Sequence, residues 1–248
     1  MINIYSGLEL ENLRKAGKIL HETHNLVRKT VKPGIKAIDL DTIIEDFIKK
    51  NNAIPSFKGY NGFKHASCIS INDEVVHGIP NDRIFIEGDI VSVDIGVCYN
   101  GFHSDSAYTY KVGKVDEKIE KLLEDTERSL YAGIKMVKPG NTIGDISAAI
   151  EKIAKESKLT VVRELAGHGV GKNLHEDPEI TNYGKSASGP TLKEGMVIAI
   201  EPMLNLGSRY IKIMQDGWTI KTKDKKPSAH FEHTILVTKD GYEILSKR

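Results

Sequence analysis

The chain contains two stretches with the same pattern, EGDIVSVD at 87–94 and EGMVIAIE at 194–201. Each begins with Glu-Gly, continues through a run typical of a β-strand, and ends on an acid, Asp94 or Glu201. Strand alternation gives each acid small or apolar neighbours on its own face, where an unpaired charge would be costly. The pattern therefore indicates two carboxylates at the ends of buried strands, each in need of a compensating cation.

The similarity between the two parts of the chain continues on both sides of these stretches. The tetrapeptide VKPG at 31–34 recurs at 137–140, and each copy precedes a pattern typical of an amphipathic helix. Downstream, HSD ending on Asp105 corresponds to HFE ending on Glu232. The repeated order predicts a single domain over residues 1–248, built from two related halves. We assign it to the α+β class, with pseudo-twofold halves and helices covering a curved antiparallel sheet.

Apolar periodicity predicts the helices, and β-rich runs bounded by turn residues predict the strands. The expected helices cover 10–27, 40–48, 117–136 and 146–155, the second with Asp39 as its N-cap. The expected strands cover 68–71, 90–95, 107–112, 196–200 and 233–237. The second half thus repeats the helix-then-strand order of the first.

Composition and charge exclude several classes of protein. With 35 basic and 34 acidic residues among 248, the chain has a net charge of +1 and no basic stripe, so we expect no direct nucleic-acid partner. The first thirty residues lack an apolar signal-peptide core, and the longest apolar runs are shorter than a membrane span. Cys68 and Cys98 are too few for a disulfide framework. We therefore expect a cytoplasmic protein without a membrane partner.

Four carboxylates and one histidine indicate a metal site. The acids are Asp94, Asp105, Glu201 and Glu232, and the imidazole is that of His168 in a glycine-rich turn. Two carboxylates about 4 Å apart repel by roughly 4 kcal/mol at an effective dielectric constant of about 20, so converging acids need protons or metal. Two divalent ions would balance the four charges, and these ligands suit Mn, Fe, Co or Zn. Ordinary surface or salt-bridged acids are the alternative, which the repeated context disfavours.

With these residues assembled, the chain resembles the type I methionine aminopeptidases, which have the pita-bread fold. The resemblance covers nearly the whole length. Its motifs are VHGIP at 76–80, VDIG at 93–96, GFHSD at 101–105, GHGVG at 167–171, LHEDP at 174–178, IEPM at 200–203 and FEHT at 231–234. It implies a hydrolase that removes the N-terminal methionine from nascent proteins and peptides, prefers a small second residue, and acts by attack of a metal-bridging hydroxide.

The same resemblance implies a dinuclear centre with five ligands. Asp105 and Glu232 are expected to bridge the two ions. His168 and Glu201 are expected to bind one ion, and Asp94 to chelate the other.

The resemblance also implies catalytic roles. Glu201 is the expected proton carrier, His175 the expected stabiliser of the tetrahedral oxyanion, and His77 the expected partner of the scissile amide. In relatives a monovalent cation, Na or K, also binds near the positions of Asn72 and Ser228.

The substrate pocket follows from the same alignment of motifs. The residues expected around the methionine side chain are Phe57, Tyr60, Phe63, Cys68, His77, Leu174 and Trp218. At three of these positions the family more often has another residue, namely Cys for Phe57, Tyr for Phe63 and Phe for Leu174. These departures concern the shape of the pocket, whereas an aromatic slot containing sulfur still suits a thioether.

The expected partner is the N-terminus of a peptide or nascent protein that begins with methionine. It would meet a monomeric enzyme, with the ribosome as a candidate docking partner. Two other interpretations stay open. An Xaa-Pro aminopeptidase or dipeptidase shares the fold and the five ligands, but usually carries a long amino-terminal domain. A non-catalytic pita-bread protein would use the cleft for binding alone, and such proteins have typically lost ligands.

Overall fold

The computed structural model describes residues 1–247, and within them four helices confirm the four that periodicity predicts. They are α1 (Gly7–Thr30), α2 (Ala37–Lys50), α3 (Glu117–Ile134) and α4 (Ile143–Glu156). Helix α1 begins with a capping box in which the Ser6 amide donates to Glu9 Oε2 at 3.3 Å. Helix α4 begins in the same way, because the Thr142 amide donates to Asp145 Oδ2 at 2.8 Å.

The start of α2 differs from the prediction. Asp39 is not its N-cap, because the helix begins at Ala37 and Asp39 lies inside the first turn. The amides of Ala37 and Ile38 donate to the carbonyls of Arg83 (3.0 Å) and Asn81 (2.9 Å). A distant loop therefore supplies acceptors that a capping side chain would otherwise supply, and the helix begins three residues earlier than predicted.

Fifteen strands are assigned within the described part of the chain, and every strand pair is antiparallel. They are β1 (Ile54–Pro55), β2 (Ser67–Ile71), β3 (Glu74–Val76), β4 (Ile90–Tyr99), β5 (Phe102–Lys111), β6 (Thr160–Val161), β7 (Gly167–Gly169), β8 (Glu176–Ile180), β9 (Val197–Ile200), β10 (Met203–Asn205), β11 (Ile211–Ile213), β12 (Ile220–Thr222), β13 (Ser228–His230), β14 (His233–Val237) and β15 (Tyr242–Ile244). All five predicted strands are among them.

The first half of the chain centres on a long hairpin of β4 and β5. Its turn is Asn100-Gly101, with φ of 49° and 80°, a pair that favours tight hairpins because both residues tolerate positive φ. Asp94 lies opposite Ala107, two residues along β5 from Asp105. Residues two apart on a strand share a face, so both carboxylates project from the same side of the sheet.

The second half centres on a sheet with the order β15-β14-β9-β7-β8. In it His168 lies opposite Ala199, and His233 lies opposite Ile200. Glu201 directly follows β9 and Glu232 directly precedes β14. One imidazole and two carboxylates therefore emerge at neighbouring points of this sheet.

Strands β5 and β14 join the two halves. The Asp105 amide donates to Thr234 Oγ1 at 2.8 Å, and the same hydroxyl donates to the Asp105 carbonyl at 2.8 Å. The Glu232 amide donates to the Ala107 carbonyl, also at 2.8 Å. Asp105 and Glu232 occupy corresponding positions in the two halves, and so do Ala107 and Thr234, each two residues further on. The two halves therefore contact each other through the same pair of positions.

Helices cover the sheets and enclose the apolar core. Helices α1 and α2 pack on β4, β5 and β2, whereas α3 and α4 pack on each other and on β6, β8, β10 and β13. The core between them is continuous, and fully buried examples are Leu20, Ile44, Val93, Leu130 and Ile198. None of the helices within residues 1–247 has the length and apolar character that crossing a membrane requires.

The junction between the halves can be tested through Thr234. Replacing Thr234 with Val leaves a buried amide and carbonyl of Asp105 without partners, so we expect unfolding free energy to fall by about 2–4 kcal/mol. Urea denaturation of the metal-free protein measures this. The matched control is Thr42→Val, since the exposed Thr42 hydroxyl bonds only to the Ile38 carbonyl within α2 and its loss should cost less than about 0.5 kcal/mol. Equal effects of the two substitutions would contradict the proposed importance of the junction.

Candidate metal and catalytic site

Elements from both halves bring the five predicted ligands into one cavity. Asp94 lies in β4 and Asp105 in β5, and His168 is the middle residue of β7. Glu201 follows β9 and Glu232 precedes β14. All five side chains line the same cavity, so residues far apart in sequence form a single cluster.

The distances within this cluster suit metal ligation. His168 Nε2 lies 3.6 Å from Oε1 of Glu201 and 4.0 Å from Oδ2 of Asp105. Ligand atoms of Asp105, His168 and Glu232 all lie within 4.8 Å of one another. His168 Nδ1 lies 2.8 Å from the Gly169 carbonyl, which can only accept, so Nδ1 carries the proton. The lone pair of Nε2 therefore faces the carboxylates.

Three carboxylates in the cluster have an oxygen that lacks a hydrogen-bond partner among the described residues. These atoms are Asp94 Oδ1, Asp105 Oδ1 and Glu232 Oε1, and all three are buried. A buried charged oxygen without a partner is costly, and a nearby cation removes the cost. Oxygen donors with one imidazole are ligands that divalent transition metals accept. The residues present therefore fit a metal centre.

The protonation of the acids reflects the same crowding. Burial raises the pKa of Asp94 to about 7. Burial and then the charge of Asp94 raise the pKa of Asp105 well above its usual value. Burial and then Asp105 likewise raise the pKa of Glu232. Without metal, burial and mutual repulsion therefore favour the protonated forms of these side chains, and metal binding displaces their protons.

The pKa of Glu201 shifts in the opposite direction because of a histidine, His230, to which the sequence analysis assigns no role. His230 is 1% exposed, and its Nε2 lies 3.3 Å from Oε2 of Glu201. Although burial opposes ionisation, His230 and then His168 hold the pKa of Glu201 below its usual value. His230 opens the HFE segment that ends on the predicted ligand Glu232, but this position does not indicate its partner. Glu201 is distant in sequence, and only the fold shows that the two side chains meet.

The predicted substrate pocket is an apolar extension of the ligand cavity. The cavity has a volume of about 260 Å³. Its walls include all seven predicted residues, Phe57, Tyr60, Phe63, Cys68, His77, Leu174 and Trp218, together with Asn61. Phe63 and Trp218 meet edge to face with centroids 5.0 Å apart, and Cys68 pairs with Asp94 across β2 and β4. The apolar wall thus adjoins the carboxylates directly.

Two further histidines border the cluster and are uncharged at neutral pH. Burial lowers the pKa of His77, whose backbone has a φ of 57°. Burial, and then the nearby His168, lower the pKa of His175 to about 4. The His175 ring centroid lies 4.2 Å from that of His168, and its Nδ1 lies 2.8 Å from the hydroxyl of Tyr60. Both imidazoles can therefore exchange hydrogen bonds with a neutral group in the cavity.

A second cavity, of about 370 Å³, meets the first at this point. The two share His77, Asp94, His168, His175 and Glu201. The rest of its lining is Val76, Glu164, Leu165, Ala166, Gly167, Glu176, Asp177, Glu179 and Met203. The candidate site therefore consists of two adjoining cavities, one with apolar walls and one bordered by acidic residues.

The two residues predicted to lie near a monovalent cation are neighbours. The Ser228 amide donates to the Asn72 carbonyl at 3.0 Å, and Asn72 has a φ of 57°. The cation itself stays a prediction.

Comparison with known proteins agrees with this geometry. The model of metallopeptidase family M24 matches residues 11–239. Methionine aminopeptidase 1 of Bacillus subtilis is 54% identical over 247 residues, which cover 100% of both chains. The crystal structure of methionine aminopeptidase from Thermotoga maritima superposes with a TM-score of 0.98 at 46% identity, covering 100% of both chains. Prolidase from Pyrococcus furiosus superposes with a TM-score of 0.75 at 25% identity, covering 99% of this chain and 65% of that one.

The chain belongs to metallopeptidase family M24, and within that family to the methionine aminopeptidases. The predicted pita-bread fold and the predicted enzyme class, a metal-dependent peptidase, are thereby confirmed. Dependence on divalent metal agrees with the cluster of Asp105, His168 and Glu232.

The raised pKa of Asp94 predicts how metal stabilises the fold at different pH. Its ordinary pKa is 3.8 and its folded pKa about 7, so the metal-free fold loses stability as pH rises through this window. Metal binds the ionised carboxylate, so its stabilising effect should grow over the same range. We expect Mn²⁺ to raise the melting temperature more at about pH 7.5 than at about pH 5.5, at roughly 2–4 °C per kcal/mol. In the Asp94→Asn control this dependence should weaken. A shift that is larger at the lower pH would contradict the assignment.

Proposed function

We propose that this chain removes the N-terminal methionine from peptides and nascent proteins whose second residue is small. The observation that carries the proposal is an apolar pocket that opens directly onto the carboxylate cluster. Phe57, Phe63, Cys68 and Leu174 form one buried apolar group, and Cys68 is the strand neighbour of Asp94. An uncharged side chain in this pocket would lie beside the groups that hydrolyse the following peptide bond.

We further propose that two divalent ions, chosen from Mn, Fe, Co and Zn, bind to Asp94, Asp105, His168, Glu201 and Glu232. Such ions, when bound, polarise a carbonyl and lower the pKa of water. Two dications balance four carboxylates, which supports two ions rather than one. The unpartnered oxygens of Asp94, Asp105 and Glu232 support the same assignment.

Glu201 is the carboxylate best suited to accept the proton of the attacking water. The imidazoles around it hold its pKa low, whereas burial raises the pKa of the other three acids. It is therefore ionised near neutral pH, and its position next to His168 and His230 keeps it inside the cluster. A base held this way can take up the proton and later give it to the leaving amine.

His175 and His77 are the proposed partners of the reacting peptide bond. Both are neutral near pH 7, so each can donate one hydrogen bond without placing a further charge in the buried site. We assign His175 to the oxygen that gains charge and His77 to the scissile amide, in agreement with the family resemblance.

We assign the second cavity to the substrate residue that follows the methionine. A substrate held by its first side chain would continue past His77 and Glu201 into this cavity, which both residues also line. Val76, which directly precedes His77, and Met203, two residues after Glu201, are 4% and 0% exposed and line this cavity. By the family resemblance, small second residues should fit better here than large ones.

The cellular setting follows the function. We propose that the chain acts in the cytoplasm, as a monomer, on N-termini that emerge from the ribosome. Light scattering tests the monomeric state, and co-sedimentation with ribosomes tests the docking.

Peptide hydrolysis tests the proposed reaction. With Mn²⁺, Fe²⁺ or Co²⁺ added, we expect Met-Ala-Ser to be cleaved after methionine and Met-Lys-Ser much more slowly. Formyl-Met-Ala-Ser should be inert, because it lacks a free amine. Norleucine should replace methionine with a loss of no more than about 10–200-fold, since apolar pockets discriminate similar side chains weakly. Chromatography of the released amino acid measures each rate.

The same series distinguishes the rival activities. Faster cleavage of Ala-Pro-Ser than of Met-Ala-Ser would favour a proline-directed aminopeptidase. Cleavage of the formylated peptide at an equal rate would indicate an endopeptidase. Methionine release that survives rigorous metal removal would exclude the proposed mechanism.

Substitution of the two histidines tests their roles. His175→Ala and His77→Ala should each lower kcat by roughly 10²–10⁴-fold, the range for losing an oxyanion donor or a proton-transfer partner. Bound metal, measured by elemental analysis, should stay unchanged, whereas Glu232→Gln should lose metal. If either histidine variant lost its metal, that residue would instead be a ligand.

A further inference from the structure

Tyr60 lines the apolar pocket and lies on a loop that is stabilised by hydrogen bonds within its own backbone. Between Phe57 and Phe63 the amide of Tyr60 donates to the Phe57 carbonyl (3.0 Å), and that of Gly59 donates to the Phe63 carbonyl (2.7 Å). Gly59 and Asn61 have φ of 91° and 48°, conformations that these residue types adopt more readily than others. The side chain of Tyr60 therefore projects from a short, internally bonded turn.

The hydroxyl of Tyr60 reaches across the cavity to His175. It lies 2.8 Å from Nδ1, and the two rings are tilted with centroids 5.2 Å apart. Within residues 1–247 this is the one hydrogen bond found for the hydroxyl, although the residue is 37% exposed and the loop could have turned it toward solvent. Packing alone does not require this contact.

The chemical nature of each Nδ1 partner distinguishes the two neighbouring histidines. His168 Nδ1 faces the Gly169 carbonyl, which only accepts, so its Nε2 is left as a lone-pair donor suited to metal. His175 Nδ1 faces a tyrosine hydroxyl, which can donate. If Tyr60 donates to Nδ1, the single proton of the neutral imidazole resides on Nε2. His175 then presents an N–H to the cavity, as stabilisation of an oxyanion requires.

We propose that Tyr60 is a positioning residue that fixes the Nε2–H tautomer and the ring orientation of His175. This inference rests on the proposed function, because it assigns a purpose to the proposed role of His175. It also links substrate selection to turnover, since the ring of Tyr60 lines the side-chain pocket while its hydroxyl sets the oxyanion donor. When the side chain of the first substrate residue packs on Tyr60, it also helps to hold His175, which acts on the following peptide bond, in position.

Tyr60→Phe tests the proposal, because it removes the hydroxyl and keeps the aromatic wall. For Met-Ala-Ser we expect kcat to fall roughly 10–100-fold, the order found when a partner that orients an active-site histidine is lost, with KM changed less than about 3-fold. The matched control is Tyr210→Phe, at a tyrosine that is 51% exposed and away from both cavities, and its kinetics should equal those of the unmodified enzyme. An unchanged kcat in Tyr60→Phe, or a loss confined to KM, would show that Tyr60 is only a wall.

Two further measurements separate positioning from a general structural effect. In the His175→Ala background, Tyr60→Phe should cause no additional loss, since the group that it positions is gone. Long-range ¹H–¹⁵N correlation spectra of the Zn²⁺-loaded protein should show His175 protonated at Nε2, and a mixture of tautomers in Tyr60→Phe. Protonation at Nδ1 in the unmodified protein, or fully additive losses, would overturn the inference. If the unmodified enzyme releases no methionine with any of the ions, the proposed function fails instead.

Discussion

The confinement of four carboxylates in one buried space is the constraint on which the molecule depends. Left alone, such groups repel each other and resist burial, and both effects raise the pKa of Asp94, Asp105 and Glu232. Glu201 keeps its charge because histidines surround it. The cluster thus stores an unfavourable arrangement that bound divalent metal would make favourable. The apolar core and the hydrogen bonds across the halves must supply the stability that holds it together.

The neighbouring imidazoles illustrate how one side-chain type serves three purposes. His168 is fixed as an electron-pair donor by a carbonyl, His175 faces a hydroxyl, and His230 faces a carboxylate. In each case the partner on one ring nitrogen decides what the other nitrogen can do. The chemistry of the cavity therefore depends as much on backbone and tyrosine contacts as on which residues are histidine.

Local pattern predicted most of the architecture, and long-range contacts account for what it missed. The strands that carry Asp94 and lead to Glu201 are visible because strand periodicity is a local property, as is the helical spacing in α1 to α4. The expected strand end at Asp94 is wrong, because β4 continues to Tyr99 in its pairing with β5. The expected cap at Asp39 is wrong because the carbonyls of Asn81 and Arg83 replace it. The HFE segment that His230 opens gives no indication of its role, since its carboxylate partner, Glu201, lies in a distant part of the sequence. The pocket residues followed from resemblance to a family, and no spacing in the sequence would have brought them together.

The reciprocal contacts between β5 and β14 bear on the origin of the chain. Asp105 meets the second half through Thr234, and Glu232 meets the first half through Ala107, so corresponding positions of the two halves contact each other. A surface of this kind is self-complementary. An ancestral polypeptide of half the length could have associated with a second copy of itself across the same strands. Each copy would have contributed two acids to a site on the symmetry axis. Tandem fusion of its gene would then have freed the two copies to diverge, so that the first came to supply most of the pocket wall and the second the histidine ligand.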